Sequence, residues 1–165
     1  IRDDLVTGVQ TCALPIYRPM ENPPAVIYTD GGSRGNPGPA GLGAIIVQNG
    51  HTIASLSQYL GVATNNVAEY RGAIAGLEYV HKLNESSLIR VNLDSKLVVE
   101  QMSGRWKIKS PDMRSLALRA RDAHPPTLVQ YVWVPREENH HADSLVNEIL
   151  DSVARGGSDS ILREL

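Results

Sequence analysis

The chain has 165 residues, of which 42% are hydrophobic, and its 16 Lys and Arg against 18 Asp and Glu give a formal net charge of −2. This length predicts one domain with a sizeable hydrophobic core, and the charge balance excludes a polybasic protein that binds nucleic acid by bulk attraction alone. The single cysteine excludes a scaffold built on internal disulfides, and no apolar run approaches the ~20 residues of a membrane span.

Residues 1–24 are predicted to be a disordered or non-native extension that precedes the domain. Four prolines interrupt any helical or strand period there: Pro15, Pro19, Pro23 and Pro24. Residues 1–16 lack the basic and apolar regions of a signal peptide, and residues 6–16 resemble an in-frame translation of a common DNA sequencing adapter. We therefore exclude the extension, with Cys12, from the fold and expect Met20 to be the natural start. An ordinary disordered tail is the alternative.

The domain, residues 25–151, is predicted to contain five strands. Short apolar runs rich in β-branched residues and bounded by turn residues predict strands over 25–29, 41–48, 51–60, 88–93 and 128–134. The pair Asn49-Gly50 is a strong hairpin signal, so the second and third strands should be antiparallel neighbours. The first strand should end at Asp30.

Four helices are predicted between and after these strands. Capping residues followed by apolar residues at helical spacing predict helices that begin near Thr64 and over 95–102, 112–123 and 139–153. Parallel pairing requires an intervening helix. The element order therefore predicts an α/β fold with a five-stranded mixed sheet, a three-strand antiparallel meander plus two parallel strands, flanked by helices. For residues 152–165 we expect a tail or linker.

Four acidic residues occur where predicted elements begin or end. Asp30 and Asp94 follow two strands at the sheet edge where open α/β sheets bind ligands, and a buried carboxylate is costly unless it is paired or binds a metal. Glu69 lies in the first turn of its helix, where Gly76 on the same flank would let the helix approach the sheet. Asp143 lies near the start of the last helix. For each acid alone, a helix-capping or turn-forming role is the alternative.

Carboxylate ligands without nitrogen or sulfur favour Mg²⁺ or Mn²⁺. A second ion about 3.5–4 Å from the first would suit in-line phosphoryl displacement. Zinc is not expected, because Cys12 is set aside and His140 and His141 are adjacent instead of ligand-spaced.

Four segments resemble, in order and spacing, the motifs of type 1 ribonuclease H. Residues 28–41 (YTDGGSRGNPGPAG) resemble the first motif and residues 64–70 (TNNVAEY) the second, and Asp94-Ser95 and Ala142-Asp143 resemble the third and fourth. The resemblance spans about residues 25–151. It implies an RNase H-like fold and an endoribonuclease that hydrolyses the RNA strand of RNA–DNA hybrids, leaving 3′-hydroxyl and 5′-phosphate ends.

The resemblance also implies roles for individual residues. By motif position, two Mg²⁺ ions, with Mn²⁺ as a possible substitute, would be held by Asp30, Glu69, Asp94 and Asp143. The residues that would contact the hybrid are Gly31, Asn36, Thr64, Asn65 and Asn66. Short amide side chains and exposed backbone suit an A-like duplex, which is recognised by shape and 2′-hydroxyls in its wide minor groove.

The chain departs from the family pattern at two places. Trp133 stands where many bacterial members carry a mobile His, and we expect Arg136, in preference to His140, to take over its proposed role in proton shuttling or product release. The long basic protrusion is missing, as in the shorter archaeal and actinobacterial branch. Lys107 and Lys109 would then contact DNA phosphates, with a solvated loop as the alternative.

Two other functions remain open from the sequence. A transposase- or integrase-like core shares the fold and the carboxylates but acts on DNA, and a non-catalytic module would bind the hybrid without cutting it. We expect a cytoplasmic monomer with no membrane partner, or a domain of a larger fusion. The near-neutral charge is compatible with a polyanionic substrate, because four of the acids would serve the metal ions.

Overall fold

The computed structural model describes residues 23–165, so residues 1–22 of the expected extension lie outside it. The strands are β1 (Ala25–Ser33), β2 (Gly38–Gln48), β3 (His51–Ala63), β4 (Ile89–Leu93), β5 (Val129–Trp133) and β6 (Ser160–Glu164). The helices are α1 (Asn65–Leu83), α2 (Lys96–Met102), α3 (Pro111–Ala123) and α4 (His140–Ala154). Within residues 23–165, no helix combines the length and the apolar character that crossing a membrane requires.

The strands form one mixed sheet in the order β5-β4-β1-β2-β3-β6. Neighbours among β1, β2, β3 and β6 are antiparallel, whereas β4 is parallel to both β1 and β5. The α/β mixed sheet is therefore confirmed. The predicted hairpin at Asn49-Gly50 is present, and both residues have the positive φ, 53° and 76°, that such a turn requires.

The predicted strand count was wrong, because the sheet has six strands and not five. The sixth, β6, pairs antiparallel with β3 inside the segment 152–165, for which we expected a tail or linker. Ile161 and Tyr59 pack against a buried cluster that α4 contributes (Val146, Ile149 and Leu150), and Arg163 forms an ion pair with Glu148 of α4. The five residues of β6 include only two apolar ones, so the local sequence gives little indication of a strand. The contacts that stabilise β6 come from distant parts of the chain.

Strand β1 continues past Asp30, the residue at which we predicted its end. Asp30 pairs with Gly43 of β2, and the antiparallel ladder runs on to Ser33. The parallel ladder with β4 stops earlier, at the pair of Tyr28 with Asn92. At Asp30, β1 is therefore paired only with β2. Its other edge is open there to side chains from other elements.

Helix α1 lies close against β1 because its flank carries two glycines. A Cβ atom on Gly72 would lie 2.8 Å from the carbonyl oxygen of Asp30, and one on Gly76 would lie 2.6 Å from Ile27. The helix begins after Thr64, whose hydroxyl accepts a hydrogen bond from the backbone N–H of Val67 at 3.3 Å. Its buried residues form the main core with the sheet: Tyr70, Ile74, Leu77 and Val80.

Helix α4 lies on the opposite face of the sheet and comes equally close to β2. A Cβ atom on Gly43 would lie 2.6 Å from the carbonyl oxygen of Ala142. Gly43 is also the residue that pairs with Asp30 across the β1–β2 ladder. The two central strands are thus held between two helices at backbone contact distance.

The close approach of α1 to β1 predicts whether replacing a glycine of this helix raises or lowers the free energy of unfolding. Replacing a helix glycine by Ala normally gains up to about 1 kcal/mol of helix stability. We expect Gly72→Ala to lose about 1–3 kcal/mol instead, because the new methyl group would overlap Thr29 and crowd the Asp30 carbonyl. Urea unfolding followed by circular dichroism measures the difference.

The matched control for this substitution is Glu78→Ala on the exposed side of the same helix. It should change the free energy of unfolding by less than about 0.5 kcal/mol. A Gly72→Ala protein that is more stable than the wild type would contradict the close approach.

Candidate active site

Three carboxyl groups meet beside the open side of β1. One oxygen atom from each of Asp30, Glu69 and Asp94 lies within 4.8 Å of the others. Asp30 comes from β1 and is only 7% exposed. Glu69 comes from the second turn of α1, one turn later than expected, because the helix begins at Asn65. Asp94 directly follows β4.

Glu69 reaches Asp30 because Gly31 has no side chain. A Cβ atom on Gly31 would overlap the carbonyl group of Ala68 and the backbone nitrogen of Glu69. Any other residue at this position would push the start of α1 away from β1. Gly31 also donates its backbone N–H to the Asp30 carboxylate at 2.9 Å, so one glycine both admits Glu69 and orients Asp30.

Asp143 completes the cluster from the other side. It lies in the first turn of α4 and lines, with the three other acids, a cleft of about 460 Å³. Of the remaining residues expected at the site, Gly31, Asn65 and Arg136 also line this cleft.

Burial and clustering raise the pKa of two of these acids, Asp30 and Glu69. Burial and, next to it, the negative charge of Asp94 raise the pKa of Asp30 to about 7, although the hydrogen bond from Gly31 opposes them. Burial also raises the pKa of Glu69 well above its ordinary value, with further contributions from Asp30 and Asp94. The site therefore disfavours its own ionised form when nothing positive is bound.

The donor set fits a hard divalent cation. One carboxylate oxygen of Glu69, Oε2, is buried and has no hydrogen-bond partner among the described residues. Buried polar atoms are normally satisfied, and a carboxylate oxygen without a hydrogen-bond donor is a natural ligand for a cation. Oxygen ligands from several carboxylates are those that Mg²⁺ and Mn²⁺ prefer.

A network of short polar side chains joins the end of β1 to the start of α1. The Asn65 side-chain oxygen accepts hydrogen bonds from the backbone N–H and the hydroxyl of Ser33, at 2.8 and 2.9 Å. The backbone N–H of Asn65 donates to the side-chain oxygen of Asn36 at 3.1 Å. Asn36 and Asn65 are therefore neighbours at the rim, while Thr64 caps α1 and Asn66 is half-buried beside it.

The structure places the basic residues in two different settings. Arg136 is exposed and lines the acidic cleft from a short 3₁₀ turn, Arg136–Glu138. Lys107 and Lys109 are exposed in the loop between α2 and α3 and do not line this cleft. His140 hydrogen-bonds the Glu137 carbonyl at 3.0 Å and lies against His141, and neither ring lines the acidic cleft.

Several residues that contact the cluster were not identified from the sequence. Asn139 is 2% exposed and donates to Asp94 Oδ1 at 3.2 Å, and Asn147 donates to the Asp143 carbonyl at 3.2 Å. Asn147 stands four residues after Asp143, so helical i, i+4 spacing was an available signal for it, whereas the contact of Asn139 with Asp94 spans 45 residues and has no local signal. Trp133 donates its indole N–H to the Asp94 carbonyl at 3.2 Å.

Known proteins share this fold and site region. A family model described as reverse transcriptase-like matches residues 28–149. A bifunctional protein of Mycobacterium tuberculosis is 51% identical over 136 residues, which are 81% of this chain and 37% of that protein. Ribonuclease HI of Halobacterium salinarum is 37% identical over 150 residues, which are 87% of this chain and 73% of that enzyme.

Solved structures agree with these relatives. The N-terminal RNase H domain of the mycobacterial protein, determined as a fusion with maltose binding protein, is 50% identical with a TM-score of 0.73, over 80% of this chain and 96% of that one. LC11-RNase H1, solved in complex with an RNA/DNA hybrid, is 39% identical with a TM-score of 0.73, over 79% of this chain and 99% of that one.

The raised pKa of Asp30 predicts that its carboxylate destabilises the metal-free protein. In EDTA at pH 8, Asp30→Asn should raise the free energy of unfolding by roughly 1–4 kcal/mol, since one pKa unit corresponds to 1.36 kcal/mol. The folded protein holds its proton up to about pH 7, so the cost of the carboxylate is complete only above that pH. It disappears below the pKa of the unfolded chain, and the gain should therefore shrink towards pH 4.

Chemical denaturation at pH 8, 6 and 4 measures this dependence. Asp122→Asn, on the exposed surface of α3, is the control and should change stability by less than about 0.5 kcal/mol. A gain for Asp30→Asn that is equally large at pH 4 and pH 8 would show that the charge of Asp30 is not its cause.

Proposed function

Because the chain belongs to the type 1 ribonuclease H family, we propose that it hydrolyses the RNA strand of RNA–DNA hybrids and leaves 3′-hydroxyl and 5′-phosphate ends. The observation that carries the proposal is the meeting of three carboxyl groups within 4.8 Å, with a fourth in the same cleft. The chain spans 37% of the length of the mycobacterial relative. The proposal therefore concerns the domain that this chain contains.

The proposed cofactors are two Mg²⁺ ions, with Mn²⁺ as a substitute, held by Asp30, Glu69, Asp94 and Asp143. When bound, such ions polarise the phosphoryl group and generate a nucleophilic water at neutral pH. Support comes from the buried, unpartnered oxygen of Glu69 and from the crowding of four carboxylates that come from four different parts of the fold. Asp30 lies in the middle of the cluster, since both Glu69 and Asp143 interact with it.

The rim beside this cluster suits a hybrid duplex. Asn36, Asn65 and the end of β1 are fixed to one another by hydrogen bonds, so they would meet the duplex as a preformed surface. We propose that Gly31, Asn36, Thr64, Asn65 and Asn66 contact the hybrid in its minor groove and at a phosphate. Amide and backbone groups can read the shape and the 2′-hydroxyls of an A-like duplex without reading its sequence.

Arg136 is proposed to assist product release. Arg136 lines the acidic cleft, and its guanidinium is a positively charged hydrogen-bond donor, so it can attract the phosphate that leaves. Lys107 and Lys109 are proposed to bind DNA phosphates farther along the hybrid. A cytoplasmic location and a monomeric state stay predictions of the sequence.

A cleavage panel tests the proposed function. The purified protein with Mg²⁺ or Mn²⁺ is given labelled RNA–DNA hybrid, double-stranded RNA, single-stranded RNA and double-stranded DNA. We expect cleavage of the RNA strand of the hybrid, and a loss of roughly 10²- to 10³-fold in Asp30→Asn because a central carboxylate is missing. Asp122→Asn should cleave like the wild type.

The panel also separates the other two functions. Folded protein that binds the hybrid with metal present and never cuts it would identify a binding module. Equal cutting of double-stranded DNA would identify a transposase-like core. Either result would overturn the proposal.

Steady-state kinetics distinguish the roles of the two kinds of basic residue. Arg136→Ala should lower kcat by about 10-fold or more, because release of the product phosphate would slow. Lys107→Ala should raise KM and weaken its salt dependence with kcat unchanged, because a phosphate contact distant from the chemistry contributes only to binding. Unchanged turnover in Arg136→Ala would remove its assigned role.

A further inference from the structure

Asn139 occupies the fork where β1 and β4 separate. The parallel ladder between these strands ends at Tyr28 and Asn92, and Asp30 and Asp94 each stand two residues beyond. The side-chain NH₂ group of Asn139 lies in this gap. It donates to the Thr29 carbonyl at 2.9 Å and to Asp94 Oδ1 at 3.2 Å, so one amide connects the backbone of β1 to the side chain of Asp94 beyond the end of the ladder.

The orientation of this amide is fixed by chemistry. Its oxygen is buried and has no partner among the described residues. Turning the amide over would satisfy nothing, because it would bring this oxygen against the Thr29 carbonyl and the Asp94 carboxylate, which are both acceptors. The NH₂ group therefore faces Asp94, at the expense of one unsatisfied acceptor.

Asn139 also gives up the hydrogen bond that its position normally makes. It is the residue before α4, where an Asn side chain usually caps the helix, yet its side chain makes no capping bond. Only its backbone carbonyl serves the helix, by accepting the N–H of Asp143 at 3.1 Å. Local preferences that are abandoned in this way are typical of functional positions.

We propose that Asn139 is a positioning residue that holds the Asp94 carboxylate by one oxygen and leaves the other directed at the cation. The inference rests on the proposed function, since it concerns the same site. Through its side chain and backbone, Asn139 connects the elements that carry Asp30, Asp94 and Asp143. Hydrogen bonds that orient a ligating carboxylate typically change metal affinity 10- to 100-fold when they are removed.

The test compares Mn²⁺ binding in Asn139→Ala with that in a variant that loses stability elsewhere. His124 is the matched control, because it is 1% exposed and hydrogen-bonds Ser87 and His81, none of which line the acidic cleft. Isothermal titration calorimetry without nucleic acid measures the Mn²⁺ Kd, and thermal unfolding in EDTA measures stability.

Asn139→Ala should raise the Mn²⁺ Kd about 10- to 100-fold. His124→Ala should lower the unfolding temperature and leave the Kd unchanged. A wild-type Kd in Asn139→Ala, or an equal rise in both variants, would overturn the positioning role. If Asn139→Ala does not fold, Asn139→Ser, which keeps one hydrogen-bond donor, takes its place. Its Mn²⁺ Kd should lie between the wild-type value and a value about 100-fold higher. A wild-type Kd in Asn139→Ser would also overturn the positioning role.

The measurement stays separate from the proposed catalysis. A wild-type protein that binds Mn²⁺ but cuts no hybrid would contradict the proposed function, and the comparison of Asn139→Ala with His124→Ala would still decide the role of Asn139. Cleavage by the wild type together with a wild-type Kd in Asn139→Ala would contradict the role of Asn139 alone.

Discussion

The contact between the backbones of β1 and α1 at Gly31 is the constraint on which the site depends. No side chain fits between Gly31 and the start of the helix. Because Gly31 has none, the helix can approach β1 closely enough for Glu69 to reach Asp30. Gly43 serves the same purpose on the other face, where α4 carries Asp143. The carboxylates converge because glycines on the two central strands let a helix approach closely on each face of the sheet.

The crowding of carboxylates lowers the stability of the metal-free fold, but it also creates the cation-binding site. Four acids share one cleft, and burial and mutual repulsion raise the pKa of Asp30 and Glu69. The fold tolerates this repulsion because the main core lies between α1 and the sheet. Packing in that core does not depend on whether the carboxyl groups of the cleft are protonated. A bound cation would turn the same repulsion into affinity, since it interacts with every carboxylate at once.

Local sequence signals predicted the elements and the identity of the acids, but not all of their partners. The Asn49-Gly50 hairpin and the cap at Thr64 follow from the preferences of a few neighbouring residues, and both are present. Strand β6 has no such signal, because its pairing with β3 and its contact with α4 join distant parts of the chain. Asn139 was read as a helix start, since its bond to Asp94 spans 45 residues.

The chain order of the acids has a consequence for biosynthesis. Asp30, Glu69 and Asp94 precede Asp143, which lies on the last helix of the described chain. Domains generally fold as units during synthesis. On the proposed function, the carboxylate cluster stays incomplete until α4 has emerged and docked on β2. The topology therefore delays nuclease chemistry until the domain is finished.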